Sequence, residues 1–331
     1  MKVLAIESSC DETAASVVED GRHILSNVVA SQIKTHEKFG GVVPEIASRQ
    51  HVEAINRVLF KAVEDAKIKP EDIDLVVATM GPGLVGALLI GLSAAKAFAY
   101  GIGRKFIGVN HIYGHVCANY ITHKNLEPPF VGLIVSGGHT YLIKVNNYVD
   151  FELIGRTRDD ACGEAYDKVA RAIGLGYPGG PIIDRLATEG IESVQFPRVM
   201  LEEGSYDFSF SGLKTAVINY IHNKEQRNEE YRVEDIAKSF QNAVIDVLVD
   251  KTLRLADELN LNKIVLAGGV SANSGLRSRF EEVAKKDNLE IYYPELSLCT
   301  DNAAMIASAG YYVHKRGDYG TRFYANPNLS L

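Results

Sequence analysis

The chain has 331 residues, 46% of them apolar and 23% charged, ordinary globular values that exclude a disordered, collagen-like or low-complexity protein. That length exceeds one small core and calls for two domains or lobes. With 35 basic and 42 acidic side chains the formal net charge is −7, which argues against nucleic-acid binding by bulk charge but leaves room for a local basic patch.

Three runs rich in β-formers come first: VLAIES, AASVVE and HILSNVVAS. Met1-Lys2 leads straight into the first run, which contains Glu7, so no signal peptide is expected. A helix is expected from about Pro44 to Lys67, where Ile46, Val52, Ile55, Val58, Leu59, Ala62 and Val63 recur at helical spacing. From Leu75 to Ala95 there is no charged residue, a length that raises a membrane span. Pro82 and the glycines at 81, 83, 86 and 91 break it, so the expectation is a buried strand, a glycine loop and a buried helix, with no membrane crossing. FIGVN and a helix starting near His111 follow.

The second half repeats this order. FVGLIVSG, TYLIKV and FELIGR read as strands, with helices at about Asp160–Ile173 and Glu234–Leu259. Then come KIVLAGG, a helix after Ser271, the strand LEIYYP and a helix from about Asn302 to Lys315. Both halves read βββαβαβα. The expected fold is α/β, two lobes, each a mixed sheet covered by helices, with a cleft between them. The first lobe is placed at 1–118, completed by a C-terminal helical segment 302–331. The second is placed at 119–301, with an insertion at about 174–230 that carries YPGGP, FPR and FSFSG and is expected to line the cleft.

Cys10, Cys117, Cys162 and Cys299 are far apart and form no CxxC pair. Neither a disulfide scaffold nor a cysteine–zinc site is expected, and a reduced, cytosolic protein is.

Several motifs carry chemistry. In NHIYGH, His111 and His115 are four apart and share one face of a helix, half of a transition-metal site. With nine histidines in the chain such spacing also arises by coincidence, leaving two core or surface histidines as the plain alternative. Position 112 is Ile, so the general-base Glu of HExxH is missing. Asp301 in LCTDNAA is the attractive third donor; alternatively it caps the last helix.

LIVSGGHT is a strand–turn–strand whose glycines expose N–H groups suited to phosphate, or simply a tight hairpin. IESSCDET is its counterpart in the first half, placing Ser8, Ser9, Asp11 and Glu12 at a turn. Two such turns facing one cleft suit the phosphates of ATP. In LAGGVSAN, Gly268-Gly269 admits a flat base and Asn273 suits a sugar or base edge, or caps a helix. DDACGEAYDKVAR places Asp160 and Asp167 on one helical face, where solvation is the plain reading, and YPGGPIIDR sets Asp184 near a glycine turn, suited to ribose hydroxyls. Neither the Rossmann nor the P-loop fingerprint occurs.

Taken in order, IESSCDET, GGVVPEIASRQH, GPGLVGALLIG, NHIYGH, VSGGHT, GEAYDKVAR, YPGGP, DFSFSGLKTAV, LAGGVSAN and CTDNAAMIA resemble the TsaD family along essentially the whole chain. These are tRNA threonylcarbamoyladenosine transferases of bacterial type. Tyr166 stands where Phe is common, a mild departure. The resemblance implies the duplicated actin/hexokinase-like (ASKHA) fold. It implies transfer of a threonylcarbamoyl group from threonylcarbamoyl-AMP to the exocyclic amine of the adenosine next to the anticodon, in tRNAs reading ANN codons. By motif it implies a metal on His111, His115 and Asp301, and an acyl-adenylate on Val135, Ser136, Gly137, Gly138, His139, Asp167, Gly180, Asp184 and Asn273.

An acyl-adenylate is already activated, so no protein nucleophile is required. Asp11 and Glu12 are the candidates to orient or deprotonate the attacking amine, or they merely stabilise the turn. Two His and one Asp suit Zn2+ or Fe2+, and a phosphate co-ligand also admits Mg2+. The resemblance further implies tRNA, a paralogous TsaB-type subunit and a TsaE-type ATPase as partners. Lys34, Lys38, Arg49, Lys214, Lys224 and Arg227 are the candidate RNA cations, and the apolar helices Pro44–Lys67 and Leu84–Tyr100 are a candidate partner face or ordinary lobe packing. A zinc metalloprotease, a sugar or acetate kinase on the same fold, and a nonenzymatic ATP-binding subunit are the competing readings.

Overall fold

The structure, a computed structural model, describes residues 1–199, 202, 204–317, 319–320 and 323–331. Met200, Leu201 and Glu203 of the expected insertion, and Asp318, Thr321 and Arg322 of the expected C-terminal segment, lie outside the described residues. Two compact units divide the chain: Met1–Pro128 with Asn147–Asp150 and Pro294–Leu331, and Pro129–Asn146 with Phe151–Tyr293.

The first unit begins with β1 (Lys2–Glu7), β2 (Glu12–Glu19) and β3 (His23–Ser31). A single turn, α1 (Ile33–His36), leads to α2 (Pro44–Asp65), β4 (Leu75–Gly81), α3 (Val85–Gly101), β5 (Lys105–Asn110) and α4 (His111–Thr122). The strands form one sheet in the order β3-β2-β1-β4-β5. β1 runs antiparallel to β2 and parallel to β4, which is parallel to β5. Being apolar on both faces, β1 and β4 take the centre. Alternation along β4 sends Val76 and Ala78 into a core with Ile55 and Leu59 of α2 and Leu92 of α3. The uncharged stretch thus falls on β4 and α3. Among the described residues no helix is long and apolar enough to cross a membrane.

In the second unit β6 (Phe130–Val135), β7 (Thr140–Asn147) and β8 (Asp150–Arg156) are followed by α5 (Cys162–Ala172), α6 (Gly179–Ala187), α7 (Ser211–Gln226) and α8 (Val233–Glu258). Then come β9 (Lys263–Ala267), α9 (Ser274–Asp287) and β10 (Glu290–Tyr292). Its sheet has the order β8-β7-β6-β9-β10, the first sheet's order with each strand replaced by its counterpart. This is the duplicated α/β arrangement of actin/hexokinase-like lobes. Leu133 and Val135 of β6, Tyr166 and Val169 of α5 and Phe240 and Val244 of α8 share its core. The expected insertion contains α6 and α7.

α10 (Leu296–Cys299) and α11 (Ala303–Arg316) close the chain in the first unit. Val77, between the two β4 residues named above, points to α11, where Gly310 leaves it room: a Cβ there would lie 2.6 Å from Val77 Cγ1. The helical segment expected to reach 331 ends at Arg316, because Gly317 adopts the left-handed conformation that stops it. Phe323–Leu331 is not helical. Asn326 N–H donates to the Met80 carbonyl, and the Phe323 ring stands edge-on to Phe106 at 5.5 Å. The first unit extends to Pro128, past the expected boundary at 118, as α4 continues to Thr122.

Candidate functional site

β5 is buried as it runs into α4, and Asn110 between them caps the helix: its Oδ1 accepts the Ile112 N–H at 2.9 Å. That cap fixes His111 at the first helical position and His115 one turn on, on the same face. α11 packs along α4 at Gly114, where a Cβ would lie 2.6 Å from Ile306 Cδ1 and 3.0 Å from Met305 Cγ. The close approach brings Asp301, just ahead of α11, to the two histidines. His111 Nε2 is 3.4 Å and His115 Nε2 3.5 Å from the same Asp301 oxygen. Asp301 does not cap α11; Asn302 does, accepting the Met305 N–H at 3.0 Å. The Asp301 carboxylate is thereby left to the histidines.

The three ligand atoms lie within 4.8 Å of one another. Metal–ligand bonds of about 2.1 Å in tetrahedral geometry separate neighbouring donors by about 3.4 Å, the spacing from the carboxylate to each imidazole. The residues therefore fit one transition-metal ion.

Glu7, unremarked as a functional residue in the sequence, completes the arrangement. It ends β1 fully buried, with one carboxylate oxygen 3.2 Å from His111 Nδ1 and accepting from the Thr79 hydroxyl; the other accepts the Ser9 N–H at 2.5 Å. A carboxylate on the far nitrogen of a ligand histidine fixes its orientation and raises its basicity. Burial alone would lower the His111 pKa, but Asp301 and Glu7 outweigh it and hold the ring well above the ordinary imidazole value. Glu7 is lowered in turn: burial opposes ionisation and His111 overcomes it. Only the sheet order, with β1 beside β4 and β4 beside β5, places Glu7 here, so no sequence spacing announces it.

Asp11 and Glu12 occupy the turn after β1 and the start of β2, both buried. Glu12 hydrogen-bonds Asp11 and accepts from Ser31 Oγ at 3.1 Å. Burial, then the Asp11 and Asp301 charges, push its pKa up to about 10, so it carries a proton at neutral pH. Burial and Asp11 also push the Cys10 thiol well above its ordinary value, which removes it as a thiolate nucleophile. His51 of α2 pins the turn: its Nε2–H donates to the Cys10 carbonyl at 2.9 Å and its Nδ1 accepts from Thr13 at 2.7 Å.

The second unit holds the other expected residues. Val135 ends β6, and the turn Ser136–His139 closes by Ser136 N–H to the His139 carbonyl and His139 N–H to Ser136 Oγ. Gly137 and Gly138 are exposed, with open space where a Cβ would point. Gly268, at φ +86, crosses so close to Val135 that a Cβ would lie 2.4 Å from its carbonyl oxygen. Asp167 accepts the N–H groups of Gly179 and Gly180 at the start of α6; burial raises its pKa against those bonds.

Asp184 and Asn273 meet at the start of α9. Asn273 caps the helix through the Leu276 N–H, as its plain reading held, and Asp184 accepts from Ser274 N–H and Oγ. Gln241, not singled out in the sequence, joins them: its Oε1 accepts from Asn273 at 2.7 Å and its Nε2 donates to Asp184 at 3.0 Å.

Two of the candidate RNA cations are committed elsewhere, Lys214 to Asp160 and Lys224 to Glu229. Lys34, Lys38, Arg49 and Arg227 are exposed. The four cysteines are free thiols.

The family model for TsaD, tRNA N6-adenosine threonylcarbamoyltransferase, matches residues 23–308. A protein of that name from Clostridioides difficile is 57% identical over 99% of this chain and 98% of its own. One from Clostridium kluyveri is 54% identical over 100% and 98%. Among solved structures, component A of the Acidaminococcus fermentans (R)-2-hydroxyglutaryl-CoA dehydratase superposes with a TM-score of 0.57 at 16% identity, over 96% of this chain and 98% of that one. At that identity the likeness is one of fold.

Proposed function

The chain belongs to the TsaD family of tRNA N6-adenosine threonylcarbamoyltransferases, and from that premise we propose how its residues divide the reaction. It is a transferase that places a threonylcarbamoyl group on the exocyclic amine of a tRNA adenosine. The proposed donor is threonylcarbamoyl-AMP, and the proposed acceptor is the adenosine beside the anticodon in tRNAs that read ANN codons. The convergence of His111, His115 and Asp301 is the observation that carries the mechanism.

Those three residues would hold the metal, which when bound supplies positive charge for the phosphate of the departing AMP. Two imidazoles favour Fe2+ or Zn2+ over Mg2+. Glu7 sets the His111 ring. In the second unit, the exposed turn at Gly137 and Gly138 suits the acyl-adenylate donor, while Asp167, Gly180, Asp184 and Asn273 serve its nucleoside part. Asp11 and Glu12, buried together at the turn, are the pair proposed to orient the attacking amine and take its proton.

A protease reading lacks its base, since position 112 is Ile. A small-molecule kinase has no need of the two-histidine site. TsaB-type and TsaE-type subunits are the proposed protein partners. The exposed Val52 and Phe60 of α2 and Val85 and Leu89 of α3 supply an apolar face for one of them. Free cysteines suit a cytoplasmic location.

The test is transfer in vitro: the full chain and its partner subunits with purified acyl-adenylate and unmodified tRNA, the nucleosides then resolved by mass. A threonylcarbamoyl adduct on adenosine is expected. Peptide cleavage, or phosphorylation of a small substrate without tRNA, would replace this reading.

A further inference from the structure

A pocket of ~430 Å³ opens beside the Ser136–His139 turn, within the second unit. The turn's first half is already taken: the Ser136 carbonyl accepts the Gly163 N–H at 3.0 Å, and a Cβ on Gly163 would collide with Ser136 and Gly137. Its second half, with the start of β7 and the end of β8, forms the pocket wall, which includes Gly138, His139, Tyr141, Arg156, Arg158 and Asp207.

The two arginines differ in a useful way. Arg158 is paired, its Nε on Asp207 at 2.9 Å and its Nη1 on Glu202 at 3.1 Å. Asp207 also accepts the backbone N–H of Arg156 at 2.9 Å, which sets the end of β8. The Arg156 side chain is exposed and forms no ion pair among the described residues. The His139 and Tyr141 rings lie with centroids 5.4 Å apart. An exposed cation, a second guanidinium paired to two carboxylates and two rings are the groups that bind an unstacked RNA nucleotide, phosphate on the cation and base on a π-face.

Position adds to chemistry. Gly138 and His139 belong both to the pocket wall and to the turn proposed for the acyl donor. A transferase must hold the acceptor against the donor. The chain carries net charge −7, so RNA affinity has to come from local sites of this kind.

We propose that this pocket receives a nucleotide of the acceptor RNA strand, its phosphate on Arg156 and its base against His139 and Tyr141. The proposal rests on the transferase reading and names the acceptor's seat.

Binding of an anticodon stem-loop RNA to the full chain, followed by fluorescence anisotropy over a range of salt, tests it with Arg156→Ala and Tyr141→Leu. Arg156→Ala is expected to weaken binding about tenfold and to reduce the salt slope by about one. Tyr141→Leu is expected to weaken it about tenfold with the slope unchanged. In the transfer reaction the KM for tRNA rises in both variants while that for the acyl-adenylate stays. Wild-type RNA affinity in both variants, or no RNA binding by the wild type, overturns the proposal. A rise in the donor's KM alone also overturns it and gives the pocket to the donor. RNA binding that depends on Arg156 without any threonylcarbamoyl product upholds the pocket and overturns the transferase reading instead.

Discussion

Glu7 and His111, 104 positions apart in the chain, meet with a carboxylate oxygen 3.2 Å from Nδ1, on the opposite side of the ring from Asp301. The same imidazole thus has a carboxylate on each nitrogen, one suited to share a metal ion and one suited to aim the ring. Glu7→Gln should lower metal affinity about 10- to 100-fold, measured by competition with a chelator. Unchanged affinity in a folded Glu7→Gln protein would remove Glu7 from the site.

Metal and proton compete for His111. In the metal-free chain Asp301 and Glu7 prevail over burial and keep that ring protonated above the ordinary imidazole range. Metal binding has to displace that proton, so apparent affinity should rise with pH between about 6 and 8. Calorimetry in buffers of different ionisation enthalpy should show proton release on binding. An affinity flat across that interval would contradict the account.

Glu12 makes a second pH prediction. Its folded pKa of about 10 stands above the ordinary 4.5. Between those values the folded state holds a proton that the unfolded chain has lost, so stability falls as pH rises through that window. Glu12→Gln imitates the neutral acid and should flatten the fall, leaving the metal-free variant about 1 kcal/mol or more stabler than wild type near pH 8. Urea unfolding across the pH range checks it; a slope identical to wild type would mean that Glu12 is ionised.

Gly114 sets the approach of α4 to α11. Gly114→Val puts side-chain atoms where Ile306 and Met305 already sit, and overpacking of this kind costs about 1–3 kcal/mol. Because Asp301 precedes α11, the same change should weaken metal binding. Thermal unfolding and metal titration measure the two effects together.

Local pattern carried much of this structure. Strand and helix periodicity revealed the duplication, and the spacing of His111 and His115 put both on one helical face. What the pattern lacked was set by distant register. Glu7 reaches His111 only because β1 pairs with β4 and β4 with β5, and Gln241 joins Asp184 to Asn273 only because α8 passes beside α9's start. A cap position separates Asp301 from Asn302, and either suits a helix start in sequence; the folded chain uses Asn302. Lys214 looked available for RNA, yet Asp160, 54 positions earlier, claims it at 2.8 Å. Burial, then Asp11 and Asp301, raise the Glu12 pKa; Asp11 is its neighbour in the chain, but the burial and the approach of Asp301, 289 positions on, are not legible in a string of residues.

Elemental analysis of the wild-type chain and of the His111→Ala/His115→Ala double variant, both folded by circular dichroism, bears most directly on the metal centre at the heart of this mechanism. The account predicts one transition-metal ion per wild-type chain and none in the double variant. A stoichiometric ion retained by the double variant would contradict it.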